Sequence, residues 1–313
     1  MQFKSLLEAA AKRRAQLASR TEAYRVVNGA ADGLPGFTLD KFKNHFQAQF
    51  FSEELLRPEA ALVEAVLADF GPEFFAVKYR LSPSGAALEH PKVKTVCGSS
   101  SKTVVSELGV KFAVDLLDTV NPGLFLDMRD IRGEVAALAA GRELLNLFSY
   151  TCSFGVHARA AGALKAVNVD ISGKALEKGR ANYALNALTC LSGEFFKGNA
   201  FEYLEWAGKR GKKFGVVVLD PPSFARHKGF SFNVREDFGT LVRLSASVLE
   251  AGGFLMASSN YAGFELRSFA ASTLAEVQKE RPWARLVWAK SQGIDFPSSG
   301  SRESSLCAVL VAA

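Results

Sequence analysis

Val216-Val217-Val218-Leu219-Asp220-Pro221-Pro222-Ser223-Phe224 is the stretch on which the reading of this chain turns. The aliphatic run Val216 to Leu219 predicts an apolar strand over 214–220, and the run stops at an acid followed by two prolines. Each proline fixes its own φ and removes a backbone donor. The carbonyls of that turn are then left free to accept from an exocyclic amine, and the aromatic ring just beyond them can stack on a flat ligand. A Pro-Pro pair also simply ends strands, so the motif gains meaning only from what surrounds it.

Outward from this strand, the pattern from about residue 129 alternates apolar runs with helical segments. That is the pattern of a parallel sheet covered by helices. The expected strands are 143–148, 166–170, 193–196, 214–220, 253–258, 285–290 and 306–311, with helices between them such as 156–161 and 174–188. The last two strands flank a Pro/Gly/Ser-rich loop and are expected to pair as an antiparallel hairpin.

In such a sheet a ligand sits beyond the carboxyl ends of the strands. The first strand carries Asn146 and Phe148 and runs into Ser149-Tyr150-Thr151-Cys152-Ser153-Phe154-Gly155, where small residues let backbone N–H groups approach a ligand. The second strand ends at Asp170, followed by Ile171 and Ser172. An acid about 20 residues past the first strand is placed to accept from both hydroxyls of a ribose. Asp170 could equally cap the helix that follows, with Ser172 beside it. A nicotinamide dehydrogenase would need a G-x-G-x-x-G loop after the first strand, and that loop is absent here.

Upstream, residues 4–18 read as a helix whose basic cluster, Lys12, Arg13 and Arg14, is expected to be a solvated face. A strand at 24–27, a turn-rich stretch at 28–36, a hairpin around Lys43-Asn44, a helix at 58–70 and a strand at 74–80 make a small α+β domain. A hairpin at 104–116 turning at Gly109 follows. The expected division is therefore 1–103 for the small domain and 104–313 for the large one.

Composition sets outer bounds. The 313 residues are 48% hydrophobic and 22% charged, with net charge +6, ordinary for a globular protein and compatible with a polyanionic partner. No apolar run approaches the roughly 20 residues of a membrane span, and no secretory leader is read at Met1. The four cysteines, Cys97, Cys152, Cys190 and Cys307, are scattered, with no C-x-x-C pair. They read as reduced thiols of a cytoplasmic protein, neither a metal site nor a disulfide framework.

At these motifs the chain resembles the bacterial large-subunit ribosomal RNA methyltransferases, including the 5-methylcytosine enzymes and the guanine-N7 enzymes. The segments that carry the resemblance are Gly123 to Arg129, Asn146 to Thr151, Asp170, Asp220 to Phe224 and Met256 to Phe264, within roughly residues 20–313. The resemblance implies a Rossmann-like class I methyltransferase sheet, S-adenosylmethionine as cofactor, and 23S ribosomal RNA, free or partly assembled, as partner. It places Asp127 and Arg129 over the methionine end of the cofactor, Asp170 on the ribose, and Asn199 with Ala200 at the adenine, where the family usually has Asp in place of Asn199. Asp220, Pro221, Pro222, Phe224 and Asn260 would frame the acceptor base. Cys152 stands where the family usually has Gly. The RNA-binding module of many relatives is not recognised, so the small domain or another protein is expected to help grip RNA.

Methylation of cytosine C5 needs a thiolate to add at C6, whereas guanine N7 already carries a lone pair. The segment in which 5-methylcytosine enzymes hold that thiol reads Ala257-Ser258-Ser259-Asn260 here. Methylation of a base nitrogen is therefore favoured, guanine N7 first. Lys209, Arg210, Lys212 and Lys213 before the strand at 214–220, and Arg226, His227, Lys228 and Arg235 after it, interleaved with Phe224, Phe230 and Phe232, are expected to make the acceptor side basic. Two other classes fit the same fold: a methyltransferase acting on a small molecule or protein, with an acidic or apolar acceptor pocket, and a non-catalytic RNA-binding assembly factor.

Overall fold

The computed structural model describes residues 2–80, 93–119, 121–227, 230–298 and 306–313. Lys228 and much of the Pro/Gly/Ser-rich loop before the last strand lie outside these residues, as do the side chains of Arg226, His227 and Phe230. The chain divides into two compact units: Met1–Arg129 with Gly293–Glu303, and Asp130–Gln292 with Ser304–Ala313.

In the first unit, α1 (Gln2–Arg14) precedes a five-stranded sheet of β1 (Ala23–Asn28), β2 (Phe37–Phe42), β3 (His45–Phe50), β4 (Phe74–Tyr79) and β5 (Val93–Cys97), in that order. Among the described residues of this sheet only β3 and β4 pair in parallel, and the crossover that such a pair requires is α2 (Glu59–Phe70). Leu7 and Ala10 of α1 and Leu62 and Val66 of α2 are buried with Phe37, Phe46, Phe50 and Phe75 of the sheet. The hairpin β6 (Lys102–Glu107) and β7 (Val110–Asp115) turns at Leu108 and Gly109, with φ of 50° and 82°. Two positive φ angles match the twist of the paired strands, and Gly109 takes one without strain.

Two expectations change here. The first unit does not end at residue 103. Glu22 N donates to Ser106 O and Leu108 N to Arg20 O, both at 2.8 Å, so the hairpin belongs to the first unit, which continues to Arg129. The basic cluster of α1 is also not simply a solvated face. Arg14 is fully buried, and donates from Nη1 and Nη2 to the two oxygens of Asp32 at 2.7 and 2.6 Å. A buried guanidinium persists when it is paired in this bidentate way. At helical spacing Arg14 shares the buried face of Leu7, Ala10 and Leu17, whereas Lys12 and Arg13 do not; what the local pattern leaves out is the carboxylate that pairs with it.

The second unit is a seven-stranded sheet in the order β10-β9-β8-β11-β14-β16-β15. Its elements are α3 (Arg129–Ala139), β8 (Glu143–Leu147), α4 (Ser153–Ala160), β9 (Lys165–Asp170), α5 (Gly173–Leu185), β10 (Phe195–Lys197), α6 (Ala200–Lys209), β11 (Phe214–Leu219), β12 (Phe224–His227), β13 (Phe230–Asn233), α7 (Val234–Ser247), β14 (Leu249–Ser259), α8 (Leu266–Glu280), β15 (Arg285–Lys290) and β16 (Cys307–Ala312). Strands β8 to β11 and β14 pair in parallel, and β16 runs antiparallel between β14 and β15. This is the Rossmann-like sheet with a terminal antiparallel hairpin. The chain leaves β8 toward β10 and returns to β11 on its other side, so the strand order reverses between β8 and β11. A ligand crevice opens at such a reversal. β10 starts two residues later than expected, because Glu194 is buried in the preceding turn against Arg159 at 3.1 Å.

Candidate active site

The loop after β8 is bent by three residues with positive φ, Phe148 (55°), Tyr150 (47°) and Cys152 (62°). Each such non-glycine residue costs about 1–3 kcal/mol and persists where its surroundings over-determine it. Here those surroundings are explicit. Ser149 N donates to Val169 O at 3.0 Å, Cys152 N to Ser149 O at 2.7 Å, and Asn182 Nδ2 of α5 to Thr151 O at 3.1 Å. Ser149 and Thr151 are buried, and the Phe148 ring packs 5.9 Å from that of Phe232. The positive φ of Cys152 is one that glycine adopts without strain.

Asn146 does not reach the loop surface. It is buried in β8 and donates from Nδ2 to Asn168 Oδ1 of β9 at 2.9 Å, and Asn168 Nδ2 in turn donates to Tyr183 OH at 3.1 Å. A β-carbon on Gly155 would fall 2.3 Å from Asn168 Oδ1, so the first turn of α4 lies directly on this pair. This polar network sets how α4 and the loop sit on the sheet, and it is the role the structure gives Asn146.

Asp170 closes the loop from the neighbouring strand. Its Oδ2 accepts from Tyr150 N and its Oδ1 from Ser172 N, both at 2.8 Å. Burial pushes the Asp170 carboxyl above its ordinary range, and the Ser172 and Tyr150 N–H groups only partly offset this. A carboxylate offers about four lone-pair directions, so ribose hydroxyls can be accepted beside the two backbone donors. The helix-capping role falls to Ser172, whose Oγ accepts from Ala175 N at 3.2 Å. At the next strand end Gly198 N donates to Asp170 O, and Asn199 caps α6 through Oδ1, accepting from Phe201 N at 2.9 Å. Ala200 is buried beneath that turn, while Ile171 exposes its apolar side chain beside Asp170.

On the other side of β8, Asp220 follows β11. Its Oδ1 accepts from Ser258 Oγ of β14 at 2.8 Å, a partner that the strand pattern alone does not reveal. Pro221 is buried and Pro222 exposed. Ser223 O accepts from Val234 N at 3.1 Å, and Ser223 Oγ donates to Asn260 Oδ1 at 3.3 Å. Asp220, the two prolines and Asn260 are thus joined through β11 and β14. Phe224 is 53% exposed at the head of the β12–β13 hairpin, a hairpin the sequence did not announce.

Asp127 and Arg129 belong to the first unit, whose last residue before the division, Arg129, is also the first residue of α3. Arg129 is buried, and its Nη1 and Nη2 donate to Asp295 Oδ2 at 3.1 Å and Oδ1 at 2.7 Å. The carboxylate that Arg129 grips in this bidentate way is therefore that of Asp295. The expected basic rim also divides. Lys209, Arg210, Lys212 and Lys213 stand at the end of α6 and just before β11, at the opposite end of that strand from Asp220. Chain direction in a parallel sheet decides this, and it was legible in principle. Arg235 is exposed in the first turn of α7.

The thiols are poor nucleophiles where they are buried. Burial raises the Cys152 thiol well above its ordinary range, and it also raises that of Cys307. Cys190 is exposed beyond α5, and Cys97 lies in β5 of the first unit.

Residues 77–310 match the S-adenosylmethionine-dependent methyltransferase family. The chain is 33% identical to ribosomal RNA large subunit methyltransferase I of Photobacterium profundum, over 82% of this chain and 66% of that protein. It is 32% identical to ribosomal RNA large subunit methyltransferase K of Neisseria meningitidis serogroup B, over 82% of this chain and 73% of that one. The chain therefore spans about two thirds to three quarters of the length of these relatives. Its fold is that of SMU.776, solved in complex with SAH, with a TM-score of 0.89 and 23% identity over all of this chain and 81% of that one. The sheet, its crevice and the acid at the end of β9 define a class I methyltransferase. The chain belongs to the S-adenosylmethionine-dependent methyltransferase family, and S-adenosylmethionine is its methyl donor.

Proposed function

We propose that this enzyme methylates a base of 23S ribosomal RNA, at guanine N7 in preference to cytosine C5. The names of the two relatives support a ribosomal RNA acceptor. The observation that carries the choice of atom is the end of β14. Ser258 donates its hydroxyl to Asp220, and Ser259 Oγ accepts from Tyr261 N at 3.2 Å. That segment holds no thiol to add to C6, and both hydroxyls are engaged in structure.

The residues present fit the donor. Asp170 is a half-buried carboxylate with acceptor capacity, held by the backbone of the 148–152 loop through Tyr150 N, and Ile171 offers an apolar face. S-adenosylmethionine supplies an electrophilic methyl group on a sulfonium. This chain aligns the acceptor and excludes water. Phe224 gives a surface on which an unpaired base stacks, and the carbonyls of Asp220-Pro221-Pro222 accept from its exocyclic amine. Asp220, steadied by Ser258, keeps a negative group beside that turn. Such a group suits a base that becomes cationic when N7 takes the methyl group.

The test is nucleoside mass spectrometry after incubating the protein with labelled S-adenosylmethionine and protein-free large-subunit RNA, mature subunits or protein extract. The expected product is 7-methylguanosine in protein-free or partly assembled RNA. Label as 5-methylcytidine refutes the atom, and label only in protein or small molecules refutes the acceptor.

A further inference from the structure

A cavity of about 470 Å³ opens in the second unit at the amino ends of the strands, away from Asp170 and Asp220. Arg142 precedes β8, Lys165 begins β9, and Lys212 and Lys213 precede β11; all four line it. One wall is aromatic. Tyr203 of α6 packs edge-on to Phe196 of β10 with ring centroids 5.0 Å apart, and lies 5.4 Å from Trp206. Phe196 and Trp206 remain 41% and 43% exposed.

The charges here are poorly neutralised. Arg142 and Lys213 donate to carbonyls, Gly252 O at 3.1 Å and Ser247 O at 2.6 Å, and Lys212 Nζ lies 5.4 Å from the Trp206 ring centre. Among the described residues none of the four cations forms an ion pair. Two carboxylates, Glu143 and Glu250, also line the cavity, which leaves the cations in excess. Exposed aromatic faces rimmed by cations match unpaired RNA, whose bases stack while its phosphates take the charge.

We infer that this cavity is a second RNA seat, holding unpaired nucleotides of the substrate that flank the methylated one. The inference rests on RNA being the acceptor. At about 3.3 Å per residue, strands of five or six residues separate the two ends of the sheet by roughly 15–20 Å. The seat therefore holds neighbours of the reacting base and leaves the base itself at Asp220. It contributes to affinity and register, and its loss acts on KM for RNA while kcat stands.

The test compares the unsubstituted protein with Trp206→Ala and with Lys212→Glu/Lys213→Glu. A labelled single-stranded oligoribonucleotide reports binding, and protein-free large-subunit RNA reports methyl transfer. Each variant is expected to weaken RNA binding by roughly fivefold or more and to raise KM for RNA, with kcat, S-adenosylmethionine affinity and thermal midpoint unchanged. The charge variant should also flatten the salt dependence of binding. Variants that bind and methylate RNA within twofold of the unsubstituted protein overturn this seat alone. If the unsubstituted protein neither binds nor methylates RNA, the acceptor reading falls and the seat with it. In a Trp283→Phe/Trp288→Phe background, where Trp206 is the remaining tryptophan, protection of its fluorescence from quenching by a ribosomal protein, and not by RNA, overturns the seat in favour of protein docking.

Discussion

Cys152 Sγ occupies the space that a side chain at residue 179 would need: a β-carbon on Gly179 would lie 2.3 Å from the sulfur and 3.0 Å from Cys152 Cβ. The two positions are therefore read together. Gly179→Ala should add about 1 kcal/mol of helix propensity and lose more than that to overpacking, about 1–3 kcal/mol. Cys152→Gly relieves a left-handed φ and opens the space. In that background Gly179→Ala should be tolerated, with a coupling energy of about 1–3 kcal/mol in a denaturation double-mutant cycle. Additive effects, within about 0.5 kcal/mol, would separate the two residues.

Asp170→Ala should weaken S-adenosylmethionine binding by about 1.5–3 kcal/mol, the loss of charge-assisted hydrogen bonds, as read by calorimetry. Because burial raises this carboxyl, cofactor affinity should start to fall at a higher pH than an ordinary carboxylate would give, as acidification protonates it. The sign for stability is opposite. A carboxyl raised in the folded state favours folding when protonated, and that contribution is lost as pH rises from 3.8 through the raised folded value. Asp170→Asn should remove both dependences. An unchanged pH profile in that variant would take Asp170 out of the site.

Replacing all four cysteines should leave methyl transfer within about an order of magnitude, since none is placed as a nucleophile. The cost should appear in stability, through buried Cys152 and Cys307. RNA containing 5-fluorocytosine should give no adduct. A trapped adduct that disappears with one cysteine would establish C5 chemistry.

Asp295→Ala should destabilise the protein by about 3–5 kcal/mol in urea or thermal unfolding, because it removes the bidentate carboxylate from the buried Arg129 guanidinium. Arg129 would lose both of its Asp295 contacts, and Arg25 N its acceptor at 3.2 Å. A loss below about 1 kcal/mol would show that the site is open to water.

Phe224→Ala should leave the unfolding midpoint nearly unchanged, since the ring is largely exposed, while RNA binding falls by about 1–3 kcal/mol. Equal RNA affinity in the variant would remove Phe224 from the acceptor surface.

Much of this was legible in advance where local pattern and chain direction suffice. The apolar runs and Asp170 marked the strand ends, and Gly109 marked a hairpin. What escaped depended on contacts between distant segments. Arg14 falls on the apolar face of its helix with Leu7 and Ala10, but the carboxylate that lets it stay there, Asp32, comes from a separate segment. The resemblance sets Arg129 over the methionine end of the cofactor, and only the return of residue 295 shows the carboxylate it grips. Asn146 and Asn168 sit in strands as isolated polar residues until the pairing sets them side by side.

The return of Gly293–Glu303 to the first unit also bears on the order in which the chain can fold as it is made. Domains ordinarily form in turn behind the ribosome. Here the guanidinium of Arg129 lacks its carboxylate until residue 295 emerges, after most of the sheet that follows Arg129 has been synthesised. The unit translated first is thus completed late, and a nascent chain halted before residue 295 should carry an N-terminal half that proteases still cut.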